Sequence, residues 1–83
     1  MVNWRKEITR AMLVSGESWD DVVFSTLTEE QLDKVFDDSF GAAEGEPFTV
    51  WTKDRVYFPK EYDGAESCES VSRNPDGKPT DHI

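Results

Sequence analysis

The residues able to do chemistry in this chain are few in kind: one cysteine, one histidine and 18 carboxylates. Nucleophilic catalysis needs a nucleophile, a base within hydrogen-bond reach and a third group to orient that base. The one histidine, His82, follows a stretch of turn formers, Asn74-Pro75-Asp76-Gly77-Lys78-Pro79, whereas a catalytic base must hold a fixed position. Cys68 has Glu66 and Glu69 close by, and neighbouring carboxylates raise a thiol's pKa and blunt its reactivity. It reads as a small, partly buried residue. The adjacent pairs Asp20-Asp21 and Asp37-Asp38 do not face one another on a helix. Asp33 and Asp37, at i and i+4, could share a cation only weakly. Asp37-x-Ser39-x-Gly41 lacks the ligands and the closing Glu of a calcium loop. The glycines match no phosphate-binding pattern. The expectation is a protein that is not an enzyme and takes no metal or cofactor.

Carboxylates can also bind. Glu29, Asp33 and Asp37 are spaced i, i+4, i+8, so on a continuous helix they form one line, opposite Leu32, Val35 and Phe36. Like charges at that spacing destabilise a helix by about 0.2–0.5 kcal/mol per pair. Asp37 and Asp38 would lie near its C-terminal end, where the dipole disfavours anions by about 0.3–1 kcal/mol each. Glu30 and Lys34 form the one favourable pair. A surface shaped for stability alone would carry cations there. Asp20, Asp21, Glu44 and Glu46 extend the negative surface if the loop folds beside the helix. Two readings follow: a solvated face that keeps the protein soluble, or a partner-binding face.

The charge is unevenly placed. Residues 1–10 carry Arg5, Lys6 and Arg10 against Glu7; residues 11–52 carry ten acids and Lys34 alone; residues 53–83 carry seven acids and five bases. The net charge of −9 therefore equals that of the middle segment. Such a field repels nucleic acid and membrane surfaces and attracts basic protein surfaces. Lys53 and Arg55, near Trp51 and Tyr57, could stack on a nucleobase, but they read more simply as the charged tip of a hairpin. No stretch approaches the roughly 20 apolar residues that span a bilayer, and the first residues show no signal-peptide core. A cytoplasmic location is expected.

The elements that hold these residues can be read from periodicity and caps. Trp4, Ile8, Ala11 and Met12 mark one face of a helix from about Asn3, its cap, to Val14, stopped at Ser15-Gly16. Ser18 caps a short helical turn through Val23. Thr28-Glu29-Glu30-Gln31 is a capping box, opening a helix that carries Leu32, Val35 and Phe36 and stops at Gly41. Residues 41–47 read as a loop. The period then changes: Phe48–Thr52 and Arg55–Phe58 are two strands joined by Lys53-Asp54 in a tight hairpin. Asp63-Gly64 is a second turn, and a weak third strand around residues 67–73 centres on Val71. The expected architecture is α+β: two to three N-terminal helices packed on a small antiparallel sheet of two to three strands. Residues 1–73 form one domain, followed by a turn-rich, poorly packed tail over residues 74–83.

Several segments carry a resemblance. They are Gly16-Glu17-x-Trp19-x-Asp21-Val22, Leu27-Thr28-Glu29-Glu30, Glu44-Gly45-x-Pro47-Phe48-Thr49-Val50-Trp51-Thr52, Val56-Tyr57-Phe58-Pro59, Tyr62-Asp63-Gly64 and Arg73-Asn74-Pro75. Together they resemble a family of small uncharacterised proteins of tailed bacteriophages infecting enteric bacteria. The resemblance covers most of the chain, and Phe-Thr-Val-Trp-Thr and Val-Tyr-Phe-Pro are its most specific blocks. Where the family pattern has an aromatic followed by Val-Gly, this chain has Ser67-Cys68-Glu69. The resemblance implies a setting, in which small acidic proteins often inhibit host or defence enzymes.

Two functional expectations result. The first is an acidic inhibitor that masks or mimics nucleic acid toward a basic, nucleic-acid-handling protein such as a nuclease, polymerase or defence complex. It would use Asp20, Asp21, Glu29, Asp33, Asp37, Asp38, Glu44 and Glu46. The second is a non-enzymatic adaptor or structural module that binds through aromatics, with Trp19, Trp51 and Tyr57 as anchors, or through a sheet edge that pairs with a partner or a second copy. Against the second stands the plain possibility that these aromatics, with Phe58, form the core.

Overall fold

A computed structural model of the chain describes residues 2–36, 45–62 and 65–80. The first helix, α1 (Trp4–Ser15), begins where the Asn3 side chain accepts the Lys6 N–H at 2.9 Å. It ends where Gly16 turns left-handed at φ +77°, with Gly16 N–H donating to Leu13 O and Glu17 N–H to Met12 O at 2.8 Å. These are the paired bonds of a Schellman end, and only glycine enters that backbone region freely. Trp4, Ile8 and Met12 are buried and Ala11 packs against them, as their spacing predicts.

The chain then makes a single 3-10 turn, Trp19–Asp21, whose first residue is preceded by Ser18; the Asp21 carboxylate accepts the Ser18 N–H at 2.9 Å. The expected helical turn stops there. Val22 and Val23 belong to a strand, β1 (Val22–Ser25). Their β-branched side chains suit a pleated surface better than a helix. A second helix, α2 (Glu29–Asp33), opens at the Thr28–Gln31 capping box, with each side chain bonded to the other's backbone N–H.

The helix expected to run to Gly41 ends at Asp33, because Lys34 is already extended. Val35, expected on the buried face, is 56% exposed. Phe36 does reach the core, but through a β-bridge: Val2 N–H donates to Phe36 O at 3.0 Å and Phe36 N–H to Val2 O at 2.9 Å. Its ring then sits 4.9 Å from Trp4, and Phe48 closes on Trp4 from 4.8 Å. The expected stop at Gly41, and Asp37, Asp38 and Glu44, lie outside the described residues.

Three further strands follow: β2 (Val50–Thr52), β3 (Arg55–Tyr62) and β4 (Ala65–Ser72). They join β1 in one antiparallel sheet of order β1-β2-β3-β4, so the sheet has four strands where two to three were expected. The Lys53-Asp54 hairpin is present, and Thr52 Oγ1 accepts the Arg55 N–H at 2.9 Å to close it. The segment expected to be a weak third strand is an eight-residue strand paired with β3 from Arg55↔Ser72 to Tyr62↔Ala65. Pro59 lies in β3 beyond the last β2 partner, where a strand has a neighbour on one side and tolerates proline. Residues 73–80 are exposed, and the tail is tied at its start by Arg73 N–H to Asp54 O at 2.8 Å.

Register divides the side chains between two faces. Val50 and Tyr57 are cross-strand partners and join Ile8, Met12, Leu27, Leu32 and Cys68 in the core under α1. The opposite face carries Phe24, Trp51, Val56 and Val71, one from each strand, since Phe24 pairs with Trp51, Trp51 with Val56 and Val56 with Val71.

Candidate functional site

The carboxylate line begins as the spacing predicts and then meets a cation. Arg5 of α1 reaches across to α2: its Nε donates to Asp33 Oδ1 at 2.5 Å, and its Nη2 donates to Asp33 Oδ2 and to Glu29 Oε2. The guanidinium holds the Asp33 carboxyl below the usual carboxylate range, and the two acids hold Arg5 above its own. The like-charge repulsion between Glu29 and Asp33 is thus offset inside the molecule, and these two acids present a net charge of one rather than two. Both remain exposed, so the pairing is a surface interaction screened by salt.

The other described acids are dispersed in role. Asp21 caps the 3-10 turn, and Asp20 is exposed beside it. Glu46 pairs with Lys34 at 3.8 Å, and its backbone carbonyl accepts the Trp4 indole N–H at 3.0 Å. Among the described residues, no group of three or more His, Cys, Asp and Glu side chains is placed to hold a metal ion. Cys68 is buried, and burial, then Glu69 and Glu7, push its thiol up to about 12. The protonated thiol is a poor nucleophile. His82 lies outside the described residues.

Of the three aromatic candidates, Tyr57 is corrected outright: it is 0% exposed and belongs to the core. Its hydroxyl donates to Glu17 Oε1 at 2.6 Å and shares a 2.5 Å hydrogen bond with Ser15 Oγ. Thr52 Oγ1 donates to the same carboxylate at 2.9 Å. Burial, then the bond to Glu17, push Tyr57 up to about 12. Nothing near Glu17 in the chain marks it as the hub of this cluster, because its partners lie 35 and 40 residues away.

Trp19 is half-buried against the core, its indole N–H donating to Thr9 Oγ1 at 2.8 Å while the Arg5 guanidinium lies 5.7 Å from its ring. It braces the turn after α1.

Trp51 stands apart from both. It is half-buried on the face away from α1, with the Phe24 ring 5.7 Å away and tilted by 47°. Phe24 itself is 61% exposed. Val56, Phe58 and Val71 are half-buried on the same face, which no described helix covers. Phe24 is not legible as a site residue while Val22-Val23 continue the helical turn; the β-branched run before it is the available signal.

No family model, no curated protein and no solved structure matches this chain. No helix among the described residues is long and apolar enough to cross a membrane.

Proposed function

We propose that this chain is a non-enzymatic protein-binding module of phage type, docking its partner on the open sheet face. The observation that carries the reading is the row Phe24–Trp51–Val56–Val71, which crosses all four strands opposite the helix. An antiparallel sheet with one solvated face normally turns polar residues outward. Here the outward row is apolar and contains a Trp–Phe pair, the type of residue enriched in binding hot spots. The net charge of −9 sets the chemistry of the partner: an apolar contact patch rimmed by Lys and Arg.

A second reading rests on the acidity alone, as charge or nucleic-acid mimicry toward a basic nuclease, polymerase or defence protein. Exposed Asp20 and Glu30 favour it, and the Arg5 clasp on Glu29 and Asp33 counts against it. Capture from host lysate with three baits separates the two: wild type, Trp51→Ala, and the double charge reversal Glu29→Lys/Asp33→Lys. The sheet-face reading expects the captured protein to be lost with Trp51→Ala and kept with the charge reversal. The opposite pattern replaces it with mimicry.

A further inference from the structure

The sheet's two edges differ. β1 is four residues long and bulged between Val22 and Phe24, whereas β4 is eight residues long and regular. Among the described residues β4 pairs only with β3. In a strand with one neighbour, alternate N–H and C=O groups point outward without a ladder partner. Beside that edge runs a groove of about 520 Å³. Its floor is four consecutive β4 residues, Ser67 to Ser70, with Arg55 of β3 reaching over Ser70 to donate to its Oγ at 2.8 Å and its backbone O at 3.2 Å, and its wall is a stripe of α1 comprising Glu7, Arg10, Ala11 and Val14. Consecutive strand residues point to opposite faces, so a groove touching all four follows the edge of the strand rather than one face of it.

We propose that this groove takes an extended peptide segment as a fifth strand, added to the edge of β4. A strand edge gives affinity through main-chain hydrogen bonds, and the flanking side chains give specificity at alternate positions. Both kinds of position are defined here. Incoming side chains on the helix side meet Ala11, Val14 and the protonated Cys68 thiol, which favours a small or medium apolar residue. Incoming side chains on the other side line up with Glu69. That carboxylate has Lys60 on its β3 side at 3.9 Å and, among the described residues, no strand on the other. A Lys or Arg there completes a Lys–Glu–Lys ladder across three strands, and opposite charges so placed attract. The chain's net charge of −9 draws a basic segment to the same edge. Glu7 is 5% exposed and paired with Arg10 at 3.2 Å, and Arg55 is a cation at the Ser70 end, so the basic positions of the occupant fall beside Glu69. The occupant is therefore a partner segment of alternating apolar and basic residues. This site is separate from the Trp51 row and stands or falls independently of it.

The test uses the full chain and a capped peptide of alternating valine and lysine. Hydrogen exchange at residues 67–70 is followed by NMR. Binding as a strand slows exchange of alternate β4 amides about tenfold or more. A peptide of the same composition with valines and lysines in two blocks, or one N-methylated at alternate residues, does not. Val14 is 86% exposed, so Val14→Arg leaves the fold intact while obstructing the groove, and weakens the peptide about tenfold. Glu69→Lys weakens the lysine peptide about fivefold and favours a glutamate version instead. No protection at residues 67–70, or equal binding of the blocked or N-methylated peptide, overturns the proposal. Protection that rises with protein concentration in the absence of peptide overturns it too, by making the occupant a second copy of this chain.

Discussion

Glu17 and Tyr57 are joined by a 2.6 Å hydrogen bond that ties the end of α1 to the middle of the sheet. The left-handed Gly16 turns the chain so that the Glu17 carboxylate points back at β2 and β3, where Thr52 also donates to it. A buried phenol and a buried hydroxyl are thereby satisfied by one acid. Tyr57→Phe removes one donor to that carboxylate and lowers stability by about 1.5–3 kcal/mol, the usual range for a bond to a charged group. Urea denaturation checks it, with a lower midpoint at unchanged slope.

Alkaline pH should destabilise the protein through two groups. Folding raises Cys68 from 9.0 to about 12 and Tyr57 from 10.0 to about 12, in both cases chiefly by burial. A group raised in the folded state contributes stability that is complete below its unfolded value and is lost as pH climbs to the folded one. The loss therefore begins near pH 9 with Cys68, steepens near 10 with Tyr57 and runs to about 12. Cys68→Ala should delay the onset by about one pH unit, which a series of melts from pH 7 to 12 would register.

Gly45 is required for lack of space rather than for backbone freedom. A Cβ there would lie 2.6 Å from Trp4 Cζ2 and 2.8 Å from both Phe36 Cζ and Glu66 Oε1. Two of these are core rings, and the third is the carboxylate that accepts the Gly45 N–H at 2.9 Å. Gly45→Ala should cost about 1–3 kcal/mol as overpacking, read as a drop in melting temperature.

The Arg5 clasp should matter more for charge than for stability. Arg5→Ala frees the Glu29–Asp33 repulsion and uncovers the face of the Trp19 ring. The expected result is a small loss of stability at low ionic strength that shrinks as salt is added. A loss that stays constant from low to high salt would show that Arg5 acts through packing on Trp19 instead.

Legibility in the sequence followed locality. α1 was readable because its cap, stop and buried stripe all lie within fourteen residues, Asn3 to Gly16. The β2–β3 hairpin was readable because β-branched and aromatic runs flank Lys53-Asp54. The length of α2 is not legible because Leu32, Val35 and Phe36 copy a helical stripe, while Phe36 enters the core by bridging to Val2. β1 was hidden because Val22 follows a 3-10 turn without a break. β4 looks weak because Val71 is its one β-branched residue and it has no aromatic; its eight cross-strand pairs with β3 override that composition. The acidic line was found, but not its cation, since Arg5 lies 24 and 28 residues from its partners. The open apolar row is a product of register across four strands, which no single segment displays.

Docking on the Phe24–Trp51–Val56–Val71 row can be read by calorimetric titration of the captured partner against wild type, Phe24→Ala and Trp51→Ala. Phe24 is mostly exposed, so its truncation leaves the core untouched. Each truncation should weaken binding by about 2 kcal/mol or more, roughly 30-fold, with much of the affinity surviving at high salt. Affinity unchanged in both variants, and collapsing as salt is raised, would contradict it.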